Sequence, residues 1–536
     1  MNSVTKEEID KIFLLAIENY KKGNDQKAIE QFKEIINLSP DNLNAYTNLG
    51  AIFFKNKKYD QSIEYYNRAL KINPNHINSL NNIGAAFKEI GNLEKALKYL
   101  ENIIELDEKN LSALNNIGLI HINLKNFEKS KKYFQKVLKK DPNYVDALNN
   151  MGIVYKNEKK YENSIKYYKK AIEVNPKYLN SYYNLGCAYK DLKSYNEAIK
   201  YLSHTIEIFN NHEGALHALG SIYEEQGKYD KSLDYYNQII KKNPNNKFAF
   251  NNAGVALINK GEIKRAKINF KKSLKIDPTF IGAYWNLCGT ANSMKEVILI
   301  LNQILKIDKG HIESRILLSA FENLTKDTKD FEKSLNSINR NHHYFRSALW
   351  YFSLTNRPLI FFNRWQLFDK IISISNKSRP FYEFGVWNGN SFKYLIKSFK
   401  EGYGFDTFEG IPDAWHKEPK GSYSNYRKVP KIPGGNFIVG KFEDELPNFF
   451  KTKRPIASLI NFDADLYSST ICALENCKNI IDTQTILVFD EFIMNEKWEQ
   501  DEFKALNEFC ENYNFVYKVL AVSFFSKQVA VKLEKK

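Results

Sequence analysis

The sequence predicts a long all-α superhelical solenoid followed by an α/β domain with a mostly parallel sheet. Residues 1–312 repeat one pattern with a period of 34 residues, which is typical of an array of helix pairs. Residues 376–536 alternate short apolar runs with helical stretches, which is typical of a sheet covered by helices on both faces. Residues 313–375 lack the period but place apolar residues at helical spacing, so we expect a helical linker or lid there.

The composition excludes several classes of protein. With 536 residues, 43% of them hydrophobic, the chain is long enough for more than one globular domain, yet its longest apolar runs are too short to span a membrane. Five scattered cysteines have the spacing of neither a disulfide framework nor a metal site. The first residues lack the basic and then apolar pattern of a secretory signal, so we expect a cytoplasmic protein.

The positive charge is concentrated in the repeats. The net charge is +16, and residues 1–350 hold 53 Lys and Arg against 39 Asp and Glu, whereas residues 351–536 hold 25 against 23. The lysines alternate with glutamates along the helices and form no basic tract, which favours a solvated helix face over a nucleic-acid site. An acidic partner stays open as an alternative.

Each repeat carries small residues and a proline at fixed positions. The first small residue of each repeat is one of Ala16, Gly50, Gly84, Gly118, Gly152, Gly186, Gly220, Gly254 and Cys288, and the prolines are Pro40, Pro74, Pro142, Pro176, Pro244 and Pro278. Small residues let two helices approach closely, and proline ends the second helix of a pair. The pattern is similar to that of the tetratricopeptide repeat, with about eight to nine repeats in residues 1–312.

An asparagine stands two residues before the glycine in most repeats. The column comprises Asn48, Asn82, Asn116, Asn150, Asn184, Asn252 and Asn286, with Ala218 as the exception. It resembles the asparagine ladder of O-linked N-acetylglucosamine transferase superhelices, which implies a protein or peptide bound along the concave surface. Because an amide both donates and accepts, these side chains are equally suited to bonding a neighbouring repeat, and both interpretations stay open.

Polar residues follow the predicted strands of the C-terminal part. The stretch EFGVWNGNS supplies Gly385 and Gly389 for a tight turn, and Asn390 can cap the following helix. Asp406 ends the next strand, where an acid can accept hydrogen bonds from ribose hydroxyls. The sequence G-x-G-x-x-G is absent, which argues against a dinucleotide.

Five motifs in order carry a second resemblance. EFGVWNGNS, GFDTFEGIPDAW, VGKFEDELP, NFDADLYSST and VFDEF resemble the S-adenosylmethionine-dependent class I methyltransferases of the macrocin O-methyltransferase (TylF) type, over about residues 379–533. The resemblance implies a Rossmann-like fold and transfer of a methyl group to a hydroxyl of a small molecule or glycan, of the sugar or natural-product class.

The resemblance also implies a cofactor site and a metal site. Glu383, Gly385, Gly389 and Asn390 would surround the methionine part of S-adenosylmethionine, Asp406 would meet its ribose, and Phe442 and Glu443 would lie near its adenine. Asp463, Asp490 and Glu491 would hold a divalent metal, usually magnesium, although the family commonly has Asp-Asp where this chain has Asp490-Glu491. A hard cation held by carboxylates can orient an acceptor hydroxyl and lower its pKa.

Three positions, Asp463, Asp465 and His416, are candidates for the chemistry itself. Asp463 and Asp465 would assist the reaction at the end of their strand, with Tyr467 and Glu409 touching substrate or supporting them. His416 is a candidate general base, although a surface histidine is the plainer interpretation.

Two other functions compete with methyl transfer. Asp463-Ala464-Asp465 also matches the D-x-D motif of metal-dependent glycosyltransferases, which holds a nucleotide-sugar diphosphate. A third interpretation is a non-enzymatic scaffold of repeats with a decayed methyltransferase domain, although acids stand at all three expected metal positions.

Overall fold

The computed structural model describes residues 5–326, 340–416, 418, 420–424 and 428–536. Two compact units make up the chain, Met1–Ala215 and Leu216–Lys536. Their division falls within the seventh helix pair, whereas the sequence pattern changes near residues 312 and 375. The second unit therefore contains repeat helices as well as the α/β part.

Consecutive helices fill the repeat region. The first unit contains α1 (Lys6–Lys21), α2 (Asp25–Leu38), α3 (Leu43–Lys55), α4 (Tyr59–Ile72), α5 (Ile77–Glu89), α6 (Leu93–Leu106), α7 (Leu111–Asn123), α8 (Phe127–Lys140), α9 (Val145–Asn157), α10 (Tyr161–Val174), α11 (Leu179–Asp191) and α12 (Tyr195–Ile208). These are followed by α13 (Glu213–Glu225), α14 (Tyr229–Lys242), α15 (Lys247–Asn259), α16 (Ile263–Ile276), α17 (Ile281–Cys288), α18 (Met294–Ile307) and α19 (Ile312–Lys326). No helix of the described residues is long and apolar enough to cross a membrane.

The repeated residues act as the pattern predicts. A Cβ atom on Gly50 would lie 2.5 Å from the ring of Tyr66, so the two helices of that repeat approach too closely for any larger residue. The hydroxyl of Ser62 donates to the Gly50 carbonyl at 2.8 Å. Helix α4 ends at Ile72, two residues before Pro74, as the missing amide of proline requires.

The α/β part has eight strands and six helices within its described residues. The strands are β1 (Leu359–Phe361), β2 (Phe381–Phe384), β3 (Gly402–Asp406), β4 (Gly435–Val439), β5 (Leu459–Phe462), β6 (Ile486–Phe489), β7 (Phe515–Ser523) and β8 (Val529–Lys535). The helices are α20 (His343–Ser353), α21 (Arg364–Ile374), α22 (Asn390–Leu395), α23 (Phe442–Phe450), α24 (Tyr467–Cys477) and α25 (Glu502–Asn512).

All eight strands form one mixed sheet in the order β1-β7-β8-β6-β5-β2-β3-β4. β8 runs antiparallel to both of its neighbours, and every other neighbouring pair is parallel. Strands β2, β5 and β6 are buried along their whole length, which explains their unbroken apolar sequences. The reversed strand arises because β7 and β8 are joined by a short turn, which only antiparallel strands allow.

The segment 313–375 is more than a linker. It contains most of α19 together with α20, β1 and α21, and β1 pairs with β7 at the edge of the sheet. The sequence pattern does not predict β1, because three residues are too few to show an alternation. The segment therefore completes the sheet and brings the start of α21 to the region described next.

Hydrogen bonds fasten the start of α21 to the last repeats of the same unit. The Asn363 amide donates to the carbonyl of Gly289 at 2.8 Å, and the Trp365 indole donates to the carbonyl of Ile258 at 2.6 Å. Trp365 is buried. Arg364 lies between these two anchors, so its backbone is held in place from both sides.

Candidate functional site

Four neighbouring parallel strands end at a cavity of about 230 Å³. The carboxyl ends of β2, β3, β5 and β6 share one edge of the sheet, where ligands bind in sheets of this kind. Eight candidates from the sequence line the cavity, namely Gly385, Asp406, Phe442, Glu443, Asp463, Asp465, Asp490 and Glu491. The structure therefore gathers residues that lie far apart in the chain.

The loop after β2 passes directly against the end of β5. Gly385 has a φ of +87°, and a Cβ atom there would lie 1.8 Å from the carbonyl oxygen of Asp463. Only glycine tolerates both this conformation and this approach. The loop that is predicted to surround the cofactor therefore contacts the backbone of Asp463, the acid that is predicted to act beside the cofactor.

Asp406 holds the shape of the same loop. One carboxylate oxygen accepts hydrogen bonds from the amides of Val386 and Trp387 at 2.8 and 2.7 Å, and the other accepts from the amide of Phe408 at 2.6 Å. Burial raises the pKa of Asp406, although these amide bonds act in the opposite direction. Asp406 lines the cavity and also braces the loop, which the sequence did not reveal, and its contact with a ribose stays a prediction.

Glu383 is buried in β2 and does not line the cavity. Its Oε1 accepts a hydrogen bond from the Asn461 amide at 3.0 Å, and its Oε2 has no hydrogen-bond partner among the residues that the structure describes. Burial raises the pKa of Glu383 to about 8. The side chain is therefore mostly protonated at neutral pH.

Asp463 and Asp465 are buried acids that form no ion pair among the residues that the structure describes, although the charge of Arg364 acts on Asp463. The Asp463 amide donates to the Phe384 carbonyl at 2.8 Å, and Asp465 has a left-handed φ of 60°. Burial raises the pKa of both carboxyls well above the usual range. The charge of Asp490 raises the pKa of Asp463 further, and the charge of Glu491 raises that of Asp465 further. The cavity thus holds more acid groups than it can ionise without a cation.

Asp490 and Glu491 have basic or amide partners. Asp490 accepts a hydrogen bond from an Nη atom of Arg364 at 2.8 Å, and its other oxygen accepts from the amide of Gln528. Glu491 accepts from the Lys527 ammonium at 2.9 Å. These two cations neutralise two carboxylates of the cluster.

The predicted magnesium ligands are not arranged as a metal site. Within the described ranges, no group of three or more His, Cys, Asp or Glu side chains could hold a metal ion. Of the expected ligands Asp463, Asp490 and Glu491, the last two are already paired with cations. The protein's own cations therefore pair with two of the three expected ligands, and magnesium binding stays a prediction.

Arg364 is a charged cavity residue that the sequence did not reveal. It begins α21 and lines the cavity. Burial lowers its pKa, but the charges of Asp490 and Asp463 more than offset this, so the pKa of Arg364 is raised and the side chain stays charged. Its spacing in an aromatic and basic segment does not distinguish it from the neighbouring arginines, and only the fold brings it to the acids.

A tyrosine of the repeat helices also lies near this cluster. Tyr229 is the first residue of α14, and burial raises its pKa to about 12. The charges of Arg364 and Asp463 both act on its phenol group. Within the second unit, the repeats therefore contribute to the surroundings of the cavity.

The two candidates for the adenine region begin one helix. Phe442 and Glu443 are the first residues of α23, and both line the cavity. The ring of Phe442 contacts that of Phe384 edge to face, at 5.7 Å between centroids. The Glu443 carboxylate is largely exposed and lies 3.6 Å from the Lys441 ammonium.

Two cofactor candidates lie outside the cavity lining. Gly389 has a φ of +69°, and a Cβ atom there would lie 2.8 Å from a methyl group of Ile432. Asn390 lines a different cavity, described below. The glycine loop therefore faces the first cavity through Gly385 and turns away from it by Gly389.

The candidate general base and its neighbours are also elsewhere. His416 is exposed, and its Nε2 lies 3.0 Å from an oxygen of Asp501. The hydroxyl of Tyr467 donates to the carboxylate of Glu508. Neither His416 nor Tyr467 nor Glu409 is among the residues lining the cavity. Their predicted roles stay predictions.

The asparagine column forms hydrogen bonds from one repeat to the next. In each of four side-chain hydrogen bonds the residue of the column donates to an asparagine of the preceding repeat: Asn116 to Asn81 at 2.8 Å, Asn150 to Asn115 at 3.1 Å, Asn184 to Asn149 at 3.0 Å and Asn286 to Asn251 at 3.0 Å. Asn48 donates instead to the Asn44 carbonyl of its own helix. Asn252 accepts from the Asn251 amide, and Asn82 interacts with Tyr66. These contacts favour the structural interpretation of the column, and peptide binding stays a prediction.

Comparisons with known proteins identify the repeats. Models described as tetratricopeptide repeat match residues 41–109, 112–144, 145–178, 178–242 and 217–279, and a model described as TPR repeat matches residues 18–57. None of the curated proteins matches the chain.

Three solved structures illustrate the likeness. A tetratricopeptide repeat protein from Parabacteroides merdae ATCC 43184 is 20% identical, with 46% of this chain and 98% of that chain covered and a TM-score of 0.40. PilF of Pseudomonas aeruginosa is 20% identical, with 39% of this chain and 95% of that chain covered and a TM-score of 0.33. MamA is 24% identical, with 32% of this chain and 92% of that chain covered and a TM-score of 0.26. From the family models, residues 18–279 of this chain form a tetratricopeptide repeat array.

Proposed function

We propose that the α/β part binds S-adenosylmethionine and transfers its methyl group to a hydroxyl group of an acceptor. The observation that carries the proposal is the cavity at the strand ends. There the turn at Gly385, which only glycine can adopt, lies beside several buried carboxyl groups. Without β1 and the reversed β8, the strand order corresponds to the doubly wound order 3-2-1-4-5-6 of nucleotide-binding sheets. The motif resemblance of residues 379–533 points to the same cofactor.

The charge of the cavity favours a cationic ligand. Arg364 and Lys527 pair with Asp490 and Glu491, and in the described part of the chain no ion pair supplies a counter-charge to Asp463 or Asp465. A positive group placed beside two crowded carboxyls lowers their pKa values and is held by them. The sulfonium group of S-adenosylmethionine has the required sign, whereas a diphosphate does not.

When bound, S-adenosylmethionine supplies an activated methyl group on a sulfonium. The protein must then place the acceptor oxygen in line with the methyl carbon and take up the hydroxyl proton. We assign the proton to the carboxylate of Asp463 or Asp465. Arg364 holds the Asp490 side chain in place through a hydrogen bond of 2.8 Å.

The repeat array is proposed as a docking platform for a protein that carries or delivers the acceptor. Arrays of tetratricopeptide repeats serve as protein-interaction scaffolds. The excess of lysine in residues 1–350 favours a partner with acidic surface groups. This part of the proposal is independent of the cofactor.

Isothermal titration of the full chain with S-adenosylmethionine and S-adenosylhomocysteine tests the proposal. The two ligands differ by the charge on sulfur, so Asp463→Asn is expected to weaken binding of S-adenosylmethionine about tenfold and binding of S-adenosylhomocysteine much less. Asp413→Asn removes an exposed acid outside the cavity lining and serves as the matched control.

Two outcomes contradict the proposal. One is the absence of saturable binding of either ligand by folded wild-type protein, with and without magnesium. The other is saturable binding of a UDP-sugar that requires a divalent metal and is lost in Asp463→Asn, which would favour the glycosyltransferase alternative. Binding that persists in a chelator is expected, because Arg364 and Lys527 already neutralise two of the predicted ligands.

A further inference from the structure

A second cavity of the same unit is lined by lysines. It has a volume of about 500 Å³ and is formed by Gly227, Lys228, Tyr229, Asp230, Lys231, Asn259, Lys260, Trp365, Asn388, Asn390, Lys393, Tyr394 and Lys397. We call this cavity the lysine groove. One wall consists of the turns before α14 and α16, and the other consists of α22 and the residues around it.

The charges of the lysine groove are not balanced within it. Asp230 is the acid in the lining, and it pairs with Lys260 at 2.6 Å. In the described part of the chain, no ion pair joins an acid to the other four lining lysines, Lys228, Lys231, Lys393 and Lys397. Lys160, which precedes α10 at the repeat position of Lys228, does have an acidic partner, Glu158, at 3.0 Å.

Two lysines of the groove, Lys228 and Lys231, lie close enough to affect each other's charge. Burial lowers the pKa of Lys228, and the charges of Lys428 and Lys231 lower it further. The Lys228 ammonium is held in place by the Gln226 side chain, to which it donates a hydrogen bond at 2.7 Å. Like charges gathered at one cavity repel each other until an anion joins them, so the groove is electrostatically prepared for negative charge.

The two walls of the groove are joined by close contacts between the Asn388 side chain and the backbone of residues 226 and 227. The side-chain amide of Asn388 donates a hydrogen bond to the backbone carbonyl of Gln226 at 2.7 Å. Gly227 has a φ of +65°, and a Cβ atom there would lie 2.1 Å from the Asn388 amide nitrogen. These contacts hold the backbone of the two walls together, which lowers the entropic cost of binding a ligand between them.

The groove adjoins the loop that bounds the first cavity. Asn390 lines the groove, and its amide nitrogen is buried without a hydrogen-bond partner among the described residues. Tyr229 also lines the groove, and its phenol group is within the electrostatic reach of Asp463 in the first cavity. A ligand in the groove would therefore lie beside the acid-rich cavity.

We propose that the lysine groove binds the phosphate or diphosphate group of a small-molecule ligand. Lysine ammonium groups bind phosphate as point charges, and several of them around one cavity match a group with more than one negative charge. The neighbouring cavity is rich in carboxylates and repels such a group, so the groove is the place in this unit where it binds. This inference does not depend on methyl transfer.

Calorimetric titration of the full chain with inorganic pyrophosphate, in a chelator and at constant ionic strength, tests the inference. Wild-type protein is expected to bind one equivalent. The double variant Lys231→Ala/Lys393→Ala is expected to bind at least about tenfold more weakly, because two charge-assisted contacts are lost. Lys393→Arg keeps the charge and is expected to retain most of the affinity.

The matched control is Lys264→Ala/Lys295→Ala, which removes two exposed lysines of the same unit outside the groove. An equal loss of affinity in this control would show a general effect of surface charge and overturn the inference. The absence of saturable binding by wild-type protein would overturn it as well. Neither result would affect the binding of S-adenosylmethionine, so the two proposals can fail separately.

Discussion

The repeats and the α/β part differ in how far along the chain a buried polar group finds its partner. In the repeats, a polar side chain finds its partner at a fixed distance along the chain: Asn150 donates to Asn115, and Ser62 donates to Gly50 within one helix pair. In the cavity, Asp490 instead finds Arg364, which is remote in sequence, and Glu383 leaves one carboxyl oxygen without a partner among the described residues.

The difference separates structural polar residues from residues available for chemistry. Asparagines of successive repeats bond one another, which uses part of their hydrogen-bonding capacity within the fold. Ser164 and Ser232, at the repeat position of Ser62, have no hydrogen-bond partner among the described residues. The acids of the cavity are buried, crowded and incompletely neutralised, which raises their pKa values and costs stability. Functional sites commonly retain such costs, and each prediction below tests whether this contrast holds.

The largest effect is expected from a methyl group on the glycine loop. Gly385→Ala places a Cβ atom 1.8 Å from the Asp463 carbonyl oxygen, so the loop or the end of β5 must move. We expect a loss of several kcal/mol in the free energy of unfolding and loss of S-adenosylmethionine binding. Differential scanning calorimetry and isothermal titration measure the two effects.

Gly91→Ala in the repeats is the control, because Gly91 has a similar φ of +80° and a Cβ atom added there would have no neighbouring atom within 4 Å. Its cost should be limited to backbone strain of about 1 kcal/mol. Equal destabilisation by the two variants would show that the close approach at Asp463 has no special cost.

An intermediate effect that depends on pH is expected for Glu383→Gln. Burial raises the pKa of Glu383 from 4.5 to about 8, so the folded state holds the proton more tightly than the unfolded state. The resulting stabilisation is fully present below pH 4.5 and is lost as the pH rises through about 8. The variant has no proton to lose, so its melting temperature should exceed that of the wild type increasingly between pH 5 and pH 9.

Thermal unfolding at pH 5, 7 and 9 provides the measurement for Glu383→Gln. Glu475→Gln, at an exposed position of α24, should show no such trend. A difference between Glu383→Gln and wild type that stays constant with pH would mean that Glu383 is ionised in the folded protein and would remove it from the contrast.

The smallest effect is expected from the asparagine column. Asn150→Ala removes a hydrogen bond of 3.1 Å to Asn115, which is buried, and should cost about 1 kcal/mol in urea unfolding. Asn48→Ala removes a bond only within its own helix and should cost less. If Asn150→Ala leaves stability unchanged and abolishes capture of a partner protein, the column binds peptide and the structural interpretation is wrong.

Much of the fold could be predicted because its signals are local. The 34-residue period predicts the helix pairs, and Pro74 and its equivalents mark where the second helices end, since proline has no amide to donate. Apolar runs predict β2 to β8, although not the direction of β8. The three-residue strand β1 could not be found, because it exists only through pairing with β7.

The acids of the candidate site could be placed at strand ends, but their partners could not. Asp463, Asp490 and Glu491 follow apolar strands, and parallel strands bring their ends to one edge. Nothing in the sequence around Arg364 or Lys527 indicates that these cations neutralise the acids predicted to bind magnesium. The magnesium prediction rested on the family resemblance and on the acids, and it did not include these neighbours.

The sequence by itself determined the repeat array, the alternation of strand and helix, and the edge of the sheet where polar residues collect. These properties depend on periodicity and on contacts close in the chain, which the order of residues records directly. The tertiary structure alone decided which charges meet, that Asn390 turns from the first cavity to the lysine groove, and that Gly385 must be glycine. Such properties depend on distances between remote segments, and a few ångströms there decide whether an acid binds a metal, a ligand or an arginine.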